Sequence, residues 1–390
     1  MLAIVCDRWD MEGGGAEHYL ADLVSFASLA GIEIRVYPSQ VRGQQPPEEI
    51  HNIPHTGWPG VLSDRQYCKK VGIEIAGMAG PTVLALRPFS RATHYQLHSG
   101  LYAAAFEAER ESLPSPLRRL FYPAANRLNL KRQRLLRLQE RLLDTPETPY
   151  VMAFSHFTAL DLQRRCNTPL EKITILPHGV NLARFLPSAT KRHGTMKNGS
   201  NGEREPALLF VAHNFFLKGL HCLLKAIGRI RKSGVKIPLR VVGSGSRAYF
   251  QKLATRHGIA SQVAFLGSIS QEELVHLYRK SAALVHPTFY DPCSLVTLEA
   301  LASGCPVVTT RRNGAAELFE SGGEGFILDD PRDTDALADV LLTLRDPRIV
   351  DEMSQAASDL APHLDIRRHM VEAIRWLRLS PRHAAIVPPR

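Results

Sequence analysis

What the sequence lacks narrows it first. Its six cysteines, Cys6, Cys68, Cys166, Cys222, Cys293 and Cys305, stand singly, and no C-x-x-C occurs. Zinc and dithiol redox motifs are unsupported, and a reduced, cytosolic protein is the expectation. No apolar run approaches the ~18 residues of a membrane-spanning helix. The opening stretch Leu2–Cys6 is stopped by Asp7 and Arg8, too short for a signal peptide. G-x-G-x-x-G, a D-x-D-like cluster of metal carboxylates, nucleic-acid-binding patterns and solenoid-period repeats are all missing. With 44% hydrophobic and 22% charged residues, the chain is neither disordered nor a coiled coil. Its 390 residues suffice for two or three domains.

Acidic residues are also in deficit. Lys+Arg 48 against Asp+Glu 38 leaves +10, which fits nucleic acid, a membrane surface or an anionic substrate. The excess is local. Segment 117–143 carries +7, 187–206 carries +2 and 365–390 carries +4, so the rest sums to −3.

Apolar runs alternate with helical patterns. Leu2–Cys6, a helix near Ala16–Ala30 and Glu33–Tyr37 form a β-loop-α-β opening, which implies a parallel sheet. Thr82–Leu86 and Tyr150–Phe154 read as further strands. Pro187–Pro206, rich in Gly, Ser, Asn and charge, reads as a flexible linker or loop. Beyond it, strands at Leu208–Ala212, Leu239–Val242, Val263–Leu266, Ala283–His286 and Pro306–Thr309 alternate with helices, the spacing of a doubly wound sheet. Two α/β domains follow, 1–186 and 207–364, with a C-terminal helix, 365–380, packing back onto the first.

Four stretches could carry chemistry. In Glu12–Glu17, Gly13, Gly14 and Gly15 between strand and helix let backbone N–H groups approach an anion, or merely form a tight turn. After Leu208–Ala212, Lys218-Gly219 could neutralise a diphosphate, or be solvated surface. Gly243 and Gly245 follow another strand. In Ala283–Thr310, Asp291 and Glu299 stand eight apart, within ~80° on a helical projection. The N–H groups of Cys293, Ser294 and Leu295 would open a helix facing an anion. Glu299 lies among Leu298, Ala300 and Leu301, where an unpaired charge is costly, which favours function over a surface Glu.

The residues ILPHGVN (175–181), KG (218–219), VVGSG (241–245), VAFLGSIS (263–270), HPTFYDPCSLVTLEALASGCPVVTT (286–310) and NGAAELFESGGEGFIL (313–328) together resemble glycosyltransferase family 4, over about 175–345. Among its subfamilies the chain is similar to the lipopolysaccharide-core glucosyltransferase I type. The resemblance implies a GT-B fold, two Rossmann-like domains facing each other across a cleft. It implies a retaining hexosyltransferase moving glucose from a UDP-sugar to a lipopolysaccharide-core or other membrane-linked glycan, with no metal and no cofactor.

The resemblance also implies roles for single residues. Asp291, in place of the family's first Glu, contacts donor-sugar hydroxyls. Glu299 binds the nucleotide ribose, and Lys218 neutralises the diphosphate. The family's Arg a few residues before the Lys is missing from His213–Leu217, and His213 could partly substitute. That absence motivates a second reading, a catalytically weakened nucleotide-sugar binding relative. In Thr93–Tyr102, His98 is the candidate catalytic polar residue, ahead of His94. The segment 113–143 repeats leucines at sevens around Arg118, Arg119, Phe121, Arg127, Lys131 and Arg132, with Pro123 interrupting it. Basic amphipathic helices with aromatics suit anionic membranes. A core helix with a solvated basic face is the alternative. The expected location is peripheral, on the inner face of the plasma (inner) membrane, and nucleic acid is the poorest partner.

Overall fold

In the computed structural model, residues 1–10, 15–42, 50–51, 61–145, 147–186 and 205–378 are described. Most of the Pro187–Pro206 linker, and Gly13 and Gly14, lie outside them. The chain divides into two compact units: Met1–Ala105, Leu120–Pro177 and the chain from His369 on; and Phe106–Arg119 with His178–Arg368.

The first half runs β1 (Leu2–Asp10), α1 (Gly15–Leu29), β2 (Ile34–Arg42), α2 (Val61–Ala76), β3 (Thr82–Ala85), β4 (His94–Gln96), α3 (Tyr102–Ser112), α4 (Pro116–Leu128), α5 (Leu130–Leu143), β5 (Tyr150–Ala153), α6 (His156–Arg165) and β6 (Ile173–Ile175). Its strands form one parallel sheet, ordered β2-β1-β3-β4-β5-β6. Leu2 to Cys6 is buried throughout, as a strand covered on both faces must be. α1 buries Tyr19, Leu20, Leu23, Val24 and Ala27, one helical stripe. β1 does not stop at Asp7. It runs on to Asp10, and β2 to Arg42, because their backbones stay paired through Asp10 and Arg42. At the end of the sheet water reaches the charged side chains, so the ladder outlasts the apolar run.

The second half runs α7 (Leu182–Phe185), β7 (Glu205–Val211), α8 (Leu220–Lys232), β8 (Leu239–Val242), α9 (Arg247–Arg256), β9 (Val263–Gly267), α10 (Gln271–Lys280), β10 (Ser281–His286), α11 (Leu295–Ala302), β11 (Val307–Thr310), β12 (Gly325–Leu328), α12 (Thr334–Thr343), α13 (Pro347–Leu360) and α14 (Ile366–Arg378). The parallel sheet is ordered β12-β11-β10-β7-β8-β9. Every residue of β10 is buried. α8 buries Leu220, Leu223, Leu224, Ile227 and Ile230, and ends in Arg229, Arg231 and Lys232, which complement its carboxyl-end dipole. α10 opens with a Ser270–Glu273 capping box. α14 leaves Asp365 and carries His369 to Arg378 into the first unit.

One sequence expectation is corrected. Pro123 does not interrupt the basic segment but lies inside α4. The break comes at Asn129, whose side chain accepts from the Arg132 N–H at 3.1 Å and starts α5 as an N-cap. Asn offers the backbone this local bond, and an exposed helix can tolerate the proline's missing donor.

Gly243 shows why glycine follows β8. Its φ is +117°, and a Cβ there would lie 1.8 Å from the Ala212 carbonyl oxygen at the end of β7. Gly243→Ala should therefore destabilise the second unit by more than about 1 kcal/mol from the backbone conformation alone, with the clash adding to it. Urea unfolding checks this. An unchanged midpoint would show that the two strand ends can separate.

Candidate functional site

β7 and β10 are neighbours whose connections depart in opposite directions. β7 leads through α8 to β8, and β10 through α11 to β11 on the other side. Ligands of doubly wound sheets bind beyond the strands' carboxyl ends at such a switch point. Here the two departing loops meet. Gly219, at φ +79°, would place a Cβ 2.1 Å from the Pro287 carbonyl oxygen, so only glycine lets the loops approach this closely. The preceding Lys218 then donates from Nζ to Asp291 Oδ2 at 2.7 Å and to the Tyr290 carbonyl at 3.0 Å.

This ion pair is largely enclosed, its side chains 18% and 14% exposed. Burial alone would raise the Asp291 carboxyl, but Lys218 and His286 more than offset it, holding Asp291 well below the usual carboxylate range. His286 Nε2 lies 3.6 Å from Asp291 Oδ2. Its ring is stacked on Phe210, and burial lowers its pKa, so it stands beside the pair as a neutral group. An ammonium has three N–H donors. Among the described residues two are engaged, by Asp291 and Tyr290, and the third is left for a ligand.

Three residues beyond Asp291 the chain enters α11. Its Ser294 N–H, expected as an anion donor, is instead consumed by the Asn313 side-chain oxygen at 3.2 Å. Asn313 is a hub the sequence reading passed over. It also accepts from the Ala315 N–H and donates to Thr297 and Thr309, tying β11 to α11. Its signal was the Asn-Gly after a buried strand. The Leu295 and Val296 N–H groups have no partner among the described residues. The Ser294 hydroxyl is buried without one. A helix start with open donors has the chemistry to take an anion. The Cys293 thiol is buried and pushed up to about 12 by that burial, so only its backbone could serve a ligand.

Glu299, within α11, is not unpaired. Tyr278 donates to its Oε2 at 3.0 Å, and burial raises its pKa to about 7. His213 is exposed, with Nδ1 3.1 Å from the Ser244 hydroxyl, which joins the loops after β7 and β8. Gly243 lies in the second of these loops, where the close approach to Ala212 already requires it.

In the first unit Gly15 is the first residue of α1. His98 follows β4, its ring edge-on to Tyr19 (centroids 4.7 Å) and tilted against Phe154 (4.8 Å). Its Nε2 is 3.0 Å from Gln96 Oε1. His94 is buried against Trp376 and has a structural place. Arg87, which the sequence reading missed, lies just past β3. It is 3% exposed, paired with Asp7 at 2.8 Å and set over the Tyr67 ring. An arginine directly after an apolar strand was the available signal.

No residue of α4 is buried. Leu117, Leu120, Phe121, Leu128 and Leu130 are 65–82% exposed, among exposed Arg118, Arg127 and Lys131. Arg119 and Arg132 are partly covered, and Arg132 donates to the Tyr122 hydroxyl at 2.8 Å. α5 is anchored at its far end by Leu142, Leu143 and Gln139, which bonds Tyr95, Gly100 and Tyr102. Among the described residues no three His, Cys, Asp or Glu side chains gather as a metal site. No described helix is long and apolar enough to cross a membrane.

Residues 194–359 match the family model of glycosyl transferases group 1. The chain is 32% identical to glycogen synthase of Mycobacterium tuberculosis over 48% of this chain and 44% of that protein. It is 25% identical to D-inositol 3-phosphate glycosyltransferase of Pseudarthrobacter chlorophenolicus, over 89% and 86%. The chain thus spans about half the length of the first curated relatives it matches. Among solved structures it resembles WaaG, a glycosyltransferase involved in lipopolysaccharide biosynthesis (TM-score 0.77, 19% identity, 97% of this chain and 100% of that one). It also resembles Anabaena Alr3699/HepE in complex with UDP and glucose (0.63, 18%, 97% and 99%). The fold is that of the GT-B glycosyltransferases, two α/β units each built on a six-stranded parallel sheet.

Glu299 gives the site a pH signature. Well below pH 4.5 its carboxyl is neutral in folded and unfolded chains alike. As pH rises towards 7 the unfolded chain ionises while the folded one keeps its proton, so stability falls, by at most about 3 kcal/mol once pH passes 7. Glu299→Gln should match the wild type near pH 3.5 and become the more stable protein by pH 7.5. Thermal melts across this range check it, and parallel curves would show the carboxyl is not held neutral.

Proposed function

We propose that this protein is a retaining glycosyltransferase that moves a hexose, glucose, from a UDP-sugar to a lipopolysaccharide-core or other membrane-linked glycan at the inner membrane face. The observation that carries the reading is the Lys218–Asp291 pair at the sheet's switch point, three residues before an α11 start with open N–H groups. The group 1 family match over 194–359 supports nucleotide-sugar chemistry, and the resemblance to a structure holding UDP and glucose supports that donor.

The chemistry follows from charge. Breaking the sugar–diphosphate bond builds negative charge on the nucleotide and positive character on the sugar. The remaining Lys218 N–H and the Leu295 and Val296 N–H groups would take up the diphosphate charge in fixed positions, without reorganisation as the bond breaks. Asp291 plays two parts in this scheme. It holds Lys218 in place, and its carboxylate accepts hydrogen bonds from sugar hydroxyls. Glu299, beside Tyr278, would receive the ribose hydroxyls. No protein nucleophile and no metal enter this scheme.

The acceptor side rests on the α4–α5 surface. Exposed leucines and Phe121 flanked by arginines match an anionic lipid interface, where apolar groups enter and guanidinium groups meet headgroups.

Lys218→Ala should lower UDP release from UDP-glucose by about 10²–10³-fold. The double variant Lys218→Met/Asp291→Asn leaves no charge unpaired and separates lost chemistry from lost folding. Undiminished turnover would overturn the assignment. Tight UDP-glucose binding by a wild type that releases no UDP would favour the binding relative instead. Sedimentation with phosphatidylglycerol vesicles should show binding that weakens with salt. Equal binding to phosphatidylcholine vesicles would count against the membrane reading.

A further inference from the structure

One buried chain of polar groups in the first unit is absorbed neither by the donor site nor by the core. It links the C-terminal helix to His98, and the direction of each hydrogen bond joining its members can be assigned from fixed chemistry.

It starts at His369, on the first turn of α14. His369 Nδ1 is 2.7 Å from the Pro177 carbonyl oxygen. A carbonyl only accepts, so Nδ1 carries a proton. Burial pushes this imidazole's pKa down to about 4, so it is neutral and its Nε2 is bare. Nε2 lies 3.0 Å from the Tyr19 hydroxyl, which must therefore donate to it. With its proton committed, the Tyr19 oxygen accepts from Gln96 Nε2 at 2.8 Å. The amide orientation has a second determinant. The same Nε2 lies 3.3 Å from the Met152 sulfur, an acceptor that would repel the amide oxygen. Gln96 Oε1 consequently faces His98 Nε2, 3.0 Å away, and can only accept from it. The backbone ties the end of the chain as well, since the His98 N–H donates to the Gln96 carbonyl at 3.0 Å.

We propose that His369, Tyr19 and Gln96 are positioning residues that fix the tautomer of His98, placing its proton on Nε2 and making Nδ1 the accepting nitrogen. Tyr19, T-shaped to the ring, and Phe154, tilted against it, hold its plane. Burial, with the neighbouring His369, pushes the His98 pKa down to about 3, so the ring stays neutral across the physiological range. His98 then meets a substrate as a hydrogen-bond acceptor, and its complement is a hydroxyl group that donates. The inference rests on His98 being a site residue of the proposed transfer. It assigns α14 a part in the chemistry, because the proton pattern begins there.

The test uses the full chain labelled with ¹⁵N and long-range ¹H–¹⁵N correlation of the imidazoles, read together with UDP release from UDP-glucose. Wild-type His98 should show the Nε2–H pattern as a single tautomer. Tyr19→Phe removes only the hydroxyl, and His369→Phe removes both ring nitrogens. Each should bring in the second His98 tautomer and lower kcat by roughly 10–100-fold with KM little changed. His369→Gln, whose amide oxygen can still accept from Tyr19, should restore both. An Nδ1–H pattern in the wild type overturns the proposal even if no variant folds. So does a His98 tautomer that survives both Phe variants. Expected tautomers in a wild type that releases no UDP would uphold the relay and sink the proposed function.

Discussion

The close approach of two loops beyond one sheet is the constraint on which the candidate site depends. Lys218 and Asp291 are distant in sequence and meet because β7 and β10 are adjacent and Gly219 lets backbone touch backbone. Neither charge is tolerable alone in that enclosure, since leaving one partner of a buried pair unmatched costs several kcal/mol. Paired, they keep an ammonium fixed beside a helix start. Fixed charge is what a leaving diphosphate requires, because a charge already in place need not be reorganised as the bond breaks.

The rest of the second unit serves this point. Asn313 draws β11 and α11 together through four hydrogen bonds, and in doing so occupies the Ser294 N–H. The open donors begin one residue later. Tyr278 lets Glu299 sit within α11 although burial favours its neutral form. Gly243 repeats the logic of Gly219 at the neighbouring strand end. Each device trades local conformational cost for the position of a polar group, as functional sites commonly do.

The first unit differs in kind. Its polar groups form a relay of neutral hydrogen bonds ending at His98, while the buried Arg87 just past β3 pairs with the exposed Asp7. The α4–α5 arm adds a third element, apolar and basic at once, with its far end anchored by Gln139. The local charge excess read from segment 117–143 is thus shared between α4, none of whose residues is buried, and α5, which is buried only at its far end.

The sequence by itself determined the architecture. Buried parallel strands are apolar throughout and helices keep an apolar stripe, so most of both sheets was legible from Leu2–Cys6 and Ala283–His286 outward, although the short strands β4, β6 and β12 were not read. It also marked Lys218, Asp291 and Glu299, because a charge beside an apolar strand end or within an apolar helix is conspicuous. Strand ends were less legible, since β1 and β2 continue by backbone pairing where side-chain pattern has run out. Only the tertiary structure decided what each polar group does. That Ser294 spends its N–H on Asn313, that Tyr278 partners Glu299, and that His369 reaches Tyr19 from 350 residues away are facts of proximity across the fold. Hydrogen bonds act over about 3 Å, and no spacing along a chain specifies such a distance between elements that the fold alone brings together.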